Sequence, residues 1–304
     1  MKLVIRNSVI ILSLALVFYS CSDIRNNIDT TAPVLTVHKE GIADVNSPDF
    51  HGNLVKQDNW SFAKCIQCHA ADFTGGVAGK SCYKCHTEPA GPEACNTCHG
   101  DFNDPNRIAP PRDTNGGTST SLATVGAHSP HLYTNKLGRA VSCTNCHVVP
   151  QKFDDPGHIG QPPATVVFSG LADTSIASNA TFLSGTLTCS NTYCHGNFEF
   201  KKSDAIPTNQ FAYASDKMVG NNFTPVWNKV DGSQDSCGTC HGLPPTGHIY
   251  APITACYLCH QGVVDENGKI IDKEKHINGY KSARGSLNKL QEFLANQTAK
   301  KAAQ

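Results

Sequence analysis

Apolar residues rarely run for long in this chain. The one sustained run is Val9 to Tyr19, behind Lys2 and Arg6 and ahead of Ser20-Cys21. It is too short to span a bilayer and has the layout of a secretion signal, so residues 1–20 are predicted to be one. A polar stretch without periodicity follows, and residues 21–37 read as a tether. Further on, Ala164 to Phe168 suggests a strand. Val263-Val264 and Ile270-Ile271 flank Asn267-Gly268, which is a hairpin signal. Near the end, Leu287, Leu290, Phe293 and Leu294 share one face of a helix expected over 286–297. Between Gly100 and Val125 the chain collects Pro105, Pro110, Pro111, Gly116, Gly117 and a Thr/Ser run, so 105–125 reads as a linker or long loop. With 39% hydrophobic residues, 25 glycines and 17 prolines, the rest predicts short helices and long loops.

Fifteen cysteines and fourteen histidines change this picture. Seven segments end in Cys-His preceded by a second cysteine. They hold Cys65, Cys68 and His69; Cys82, Cys85 and His86; Cys95, Cys98 and His99; Cys143, Cys146 and His147; Cys189, Cys194 and His195; Cys237, Cys240 and His241; and Cys256, Cys259 and His260. Six have the spacing Cys-x-x-Cys-His, the attachment signature of c-type haem. Each sulfur forms a thioether with a vinyl group, and the adjacent histidine becomes the proximal iron ligand. The segment at Cys189 has four residues between its cysteines, and the two extra ones are expected to loop outward. Zinc sites and disulfide frameworks also use paired cysteines, but neither needs a histidine after every second one. The expected cofactors are therefore seven covalently bound haem c groups.

Seven histidines remain: His38, His51, His128, His131, His158, His248 and His276. Seven irons need seven sixth ligands, and only Met1 and Met218 offer a thioether. Bis-histidine ligation follows for most or all haems, with low potentials. Two spare histidines precede three motifs, and five lie from His128 onward beside four motifs. This imbalance predicts that the His128/His131 pair is split, one member reaching back to an N-terminal haem.

Cys21 is the one cysteine outside the motifs. Its place after the apolar run looks like a bacterial lipoprotein cleavage site, with lipidation as the expected anchor; the alternative is ordinary cleavage nearby. Loss of Lys2 and Arg6 takes the apoprotein from zero to a net charge of −2. Haem propionates add negative charge, which argues against nucleic-acid binding.

Residues 126–279 resemble multihaem c-type cytochromes with a Cys-x4-Cys-His then Cys-x2-Cys-His arrangement, abundant in dissimilatory metal-reducing bacteria. The likeness rests on Gly126-Ala-His-Ser-Pro-His131-Leu132, Cys143 to Pro150, Gly157-His158, Phe168-Ser-Gly170, Cys189 to Gly196, Pro225-Val-Trp227, Cys237 to Pro245 and His276-Ile-Asn-Gly279. The fold class expected is a multihaem cytochrome c. It should be mostly irregular, with short helices and few small β-hairpins wrapped around a packed haem array. A three-haem part (38–104) and a four-haem part (126–279) would flank the linker, with a C-terminal helix and tail at 280–304. The resemblance implies electron transfer in the cell envelope. The histidine count leaves no iron open, so no catalytic residues are expected, and Ser22 after Cys21 points to an outer-membrane lipoprotein on the periplasmic or surface face. Partners would be other envelope cytochromes or a porin–cytochrome conduit, and acceptors would be extracellular, such as metal oxides. Alternatives are a multihaem reductase with one open iron and a filament-forming subunit.

Overall fold

The computed structural model describes residues 37–109, 112–133, 135–160, 164–174 and 177–279. The predicted signal, Cys21, nearly all of the tether and the helix expected over 286–297 lie outside these residues. The chain divides into two compact units, Met1–Ser61 and Phe62–Gln304.

In the first unit, α1 (His51–Gln57) is anchored by His51, whose backbone N–H and ring Nδ1 both donate to Ile42 O at 2.8 and 2.9 Å. Lys39 pairs with Asp49 at 2.9 Å on the surface.

The second unit is built from single turns. Helices α2 (Ile66–His69), α3 (Cys95–Cys98), α4 (His128–Leu132) and α5 (Cys256–Cys259) span four or five residues each. One-turn 3-10 helices cover Cys82–Lys84, Cys143–Asn145 and Tyr193–His195. Five of the seven Cys-His motifs thus carry both cysteines on or beside one helical turn; in the fifth only Cys194 and His195 do, and Cys189 sits on a strand. The reason is geometric: residues three apart on a helix share a face, so one turn aims both sulfurs the same way. Ser81 and Ser142 start two of these turns, their side chains accepting from Tyr83 N and Thr144 N.

Further 3-10 turns dot the loops, and two small antiparallel strand pairs form the sheets among the described residues. One pairs β1 (Thr181–Leu183) with β2 (Thr188–Ser190), and Phe182 faces Cys189. The other pairs β3 (Glu199–Lys201) with β4 (Lys217–Val219), and Phe200 faces Met218. The stretch 164–168 makes no ladder. Val167 N instead donates to Cys146 O and Ser169 N to Asn145 O, so the apolar run serves as a rail for the fourth motif. The hairpin signal at Asn267-Gly268 gives a tight turn closed by a single Val264–Ile270 bridge. Residues 112–125 form a packed loop. Asp113 is buried and accepts from Gly117 N and Thr124 Oγ1.

The protein core is thin. Its buried apolar residues are mostly small, among them Ala94, Ala172, Ala177, Ala251 and Ala255. No large side chain is fully buried among the described residues, while Val77, Val148 and Tyr250 are at least 74% exposed. Chains of this length ordinarily bury large aliphatic and aromatic side chains.

Candidate haem-binding sites

None of the fourteen motif cysteines is tied up in a disulfide. Burial pushes Cys146 and Cys189 up to about 11 and Cys194 up to about 12. The Cys146 thiol raises both Cys189 and Cys194 further, and Cys240 also raises Cys194. The fourth, fifth and sixth motifs therefore lie side by side.

The histidines are oriented by one recurring device. In at least ten of the histidines, ring Nδ1 donates to a backbone carbonyl. Among motif histidines the partners are Lys80 O for His69, Ile108 O for His99, Thr165 O for His147 and Gly242 O for His241. Among spare histidines they are Ile42 O for His51, Val125 O for His128, Ala127 O for His131, Phe153 O for His158, Ile249 O for His248 and Leu137 O for His276. A carbonyl can only accept, so Nδ1 carries the proton and Nε2 presents its lone pair. Metal-ligating histidines are held in this way.

Four spare rings stand opposite four motif rings. The centroid separations are 6.3 Å for His128–His147, 6.1 Å for His131–His195, 6.4 Å for His241–His276 and 6.3 Å for His248–His260. An imidazole nitrogen binds a metal at about 2 Å and its ring centre lies about 1 Å behind, so rings on opposite sides of one iron are about 6 Å apart. The residues present therefore fit haem c: paired motif thiols, a motif imidazole, and a second imidazole at a separation that would let both hold one iron. Among the described residues no three His, Cys, Asp or Glu side chains converge on a point, as a zinc site would require.

Burial lowers His128 and His195 to about 4, and lowers His131, His248 and His276 as well. These rings are neutral near pH 7, the state a metal ligand needs. Nδ1 of His195 is buried without a hydrogen-bond partner.

Two sequence expectations are corrected here. The structure does not split the pair: His128 faces His147 and His131 faces His195, both motif rings of the C-terminal part, with His99 of the third motif also within electrostatic reach of His128. The cause is α4, which sets the two three residues apart on one face. The extra residues of the fifth motif do not loop outward either. Asn191 takes a left-handed conformation (φ 58°) and its backbone oxygen accepts from Asn197 Nδ2 at 2.8 Å. Thr192 and Tyr193 then fold inward, 3% and 8% exposed.

That motif is tied directly to the next one. Gly196 (φ 92°) lies so close to Cys240 that an added Cβ would meet its carbonyl oxygen at 1.8 Å. Residues 221–223 bridge both turns: Asn221 N donates to Cys240 O, Asn222 N to Gly196 O and Phe223 N to His195 O. Residues 188–241 match the family model of the Geobacter CxxxxCH...CXXCH motif. The chain carries that motif. Its two halves are the fifth and sixth attachment turns, joined by this shared backbone brace. The motif is that of multihaem c-type cytochromes, which hold haem c covalently and transfer electrons. No curated protein and no solved structure matches the chain.

Sequence reasoning assigned no role to Trp227. Its ring lies 4.7 Å edge-on to His128 and 5.8 Å, stacked, from His131, and its Nε1 donates to Ala123 O at 2.7 Å. One side chain thus wedges two candidate ligands. Rarity was the available signal, since the chain has only two tryptophans.

Proposed function

We propose that this chain is a seven-haem electron carrier of the cell envelope. The observation that carries the reading is the set of four His–His pairs at 6.1–6.4 Å. In each, Cys-His residues would hold the haem from one side and a spare histidine would close the other. His147, His195, His241 and His260 are the proximal ligands, and His128, His131, His276 and His248 the distal ones in the same order. His69, His86 and His99 would hold three more haems. Bound haem iron supplies a one-electron couple. The chain's part is to keep both axial positions filled, so that no substrate reaches the iron, and to hold the imidazoles neutral and fixed by their Nδ1–H bonds.

The thin protein core supports wrapping around the haems, which would bury the exposed apolar side chains near the motifs. Export with a lipid at Cys21 fits a cofactor attached outside the cytoplasm. No helix among the described residues is long and apolar enough to cross a membrane. An outer-membrane lipoprotein passing electrons to other envelope cytochromes, a porin–cytochrome conduit or extracellular metal oxides is the pathway we favour.

A redox titration of the purified protein followed by EPR tests this. Seven low-spin haems at low potential are expected. A high-spin iron that binds carbon monoxide in the unmodified protein would instead support the reductase.

A further inference from the structure

The pairing leaves one histidine over in the C-terminal part. Five spare histidines lie from residue 128 onward, and four of them face the four motif rings there. The fifth is His158. It has the same preparation as the others: Nδ1 donates to Phe153 O at 2.7 Å, leaving Nε2 to bind. A tight turn fixes it, with His158 N donating to Asp155 O and Asp155 Oδ2 accepting from Gln151 N and Lys152 N.

This turn packs on the N-terminal motifs. Phe153 lies 5.2 Å from Phe62, three residues ahead of Cys65, and Phe62 lies 5.4 Å from Phe73. Phe73 O in turn accepts from Cys82 N. Asp154 stands close enough to Glu93 to help burial raise its pKa, and Glu93 is two residues ahead of Cys95. The turn thus sits among the first three motifs.

We propose that His158 supplies the sixth iron ligand of a haem in the three-motif part, so that the four-motif part closes a haem it does not attach. The inference rests on the bis-histidine reading above. It places the crossing in the loop after the fourth motif, not in the His128/His131 pair.

The test uses full-length haem-loaded protein and reads carbon monoxide binding and high-spin EPR signal. Unmodified protein should show neither; if it shows either, the bis-histidine reading fails before His158 is examined. His158→Ala should open one haem. The same substitution is then placed in three backgrounds that each lack one N-terminal haem: Cys65→Ala/Cys68→Ala, Cys82→Ala/Cys85→Ala and Cys95→Ala/Cys98→Ala. The newly opened haem should vanish in one of them. An opened haem that persists in all three overturns the proposal, as does a fully low-spin His158→Ala protein. His158→Met keeps a ligand in place and should raise the potential of one haem. An unchanged titration curve for that variant would also overturn it.

Discussion

The three-motif and four-motif parts use the same attachment turn but orient it differently. In the N-terminal part the motif ring is steadied by nearby chain. His69 bonds Lys80, eleven residues on, and His99 bonds Ile108, nine residues on. In the C-terminal part His241 bonds its neighbour Gly242 while His147 bonds Thr165 eighteen residues away, and the facing rings come from as far as His131 opposite His195. The proximal side of a haem site is thus a local property, and the distal side a tertiary one. Distant pairings carry a loop-closure cost that local turns do not. The C-terminal part offsets it with wedges and braces between motifs, of which Trp227, Gly196 and residues 221–223 are the clearest.

The largest expected effect comes from breaking such a brace. Gly196→Ala places a Cβ against Cys240 O at φ 92°, where both sterics and backbone oppose it. We expect destabilisation of about 3 kcal/mol or more and loss of haem from the fifth and sixth motifs, read by intact mass. Gly79→Ala in the N-terminal part is the matched control. Gly79 also has a positive φ (62°), but an added Cβ meets nothing within 4 Å. It should cost about 1 kcal/mol and release no haem. Equal haem loss from both variants would remove the distinction between the two parts.

Acid should act through the buried ligands next. His128 and His195 sit at about 4 in the folded protein, below the ordinary value near 6.5. The unfolded chain therefore binds more protons between these values. Stability from these groups is full above about pH 6.5 and is lost as pH falls toward 4, by about 3 kcal/mol for each. Iron ligation also requires the neutral ring, so the sign is unchanged in the loaded protein. Thermal unfolding measured from pH 7.5 to 4.5 should show Tm falling, with low-spin signal lost first from the haems of His147 and His195. A flat profile would mean these rings do not have to lose a proton on folding.

The difference between local and distant contacts also explains what the sequence revealed. The attachment motifs were legible as sequence, because Cys-x-x-Cys-His sets its own geometry within about one turn of chain, but the path of the longer Cys189–Cys194 segment was not. The irregular fold with small hairpins followed from the scarcity of periodic runs. The partners of the spare histidines were not legible. Counting alone suggested splitting His128 from His131, but their spacing on α4 puts both on one face beside two adjacent motifs. Residues 164–168 had the composition of a strand, yet their hydrogen bonds go to the fourth motif. A pattern of apolar residues reports burial, not the partner that provides it.

Trp227→Ala tests whether one side chain steadies two sites. It removes the ring contacts to His128 and His131 and the bond to Ala123. We expect about 2–3 kcal/mol of destabilisation, toward the low end for a large aromatic because the residue is only half-buried. Both haems should respond together, seen as two altered low-spin EPR signals. Phe153→Ala, at the N-terminal contact, should leave those two signals in place. Trp227→Ala altering only one signal would show that the two sites are positioned independently.

The smallest effect separates holding a ligand from placing it. Tyr193, folded inward by the longer fifth motif, accepts from Gly279 N at 3.2 Å through its hydroxyl. Gly279 lies three residues beyond His276, whose ring faces His241. Tyr193→Phe removes one neutral hydrogen bond, worth about 1 kcal/mol. His276 keeps its own Nδ1 bond to Leu137 O, so the ring should stay opposite His241. The expected result is a small drop in Tm with every haem still low-spin. If the variant instead opened a haem to carbon monoxide, the distal ligand would depend on the fifth motif's extra residues. The Cys-x4-Cys spacing would then serve the sixth haem as well as the fifth.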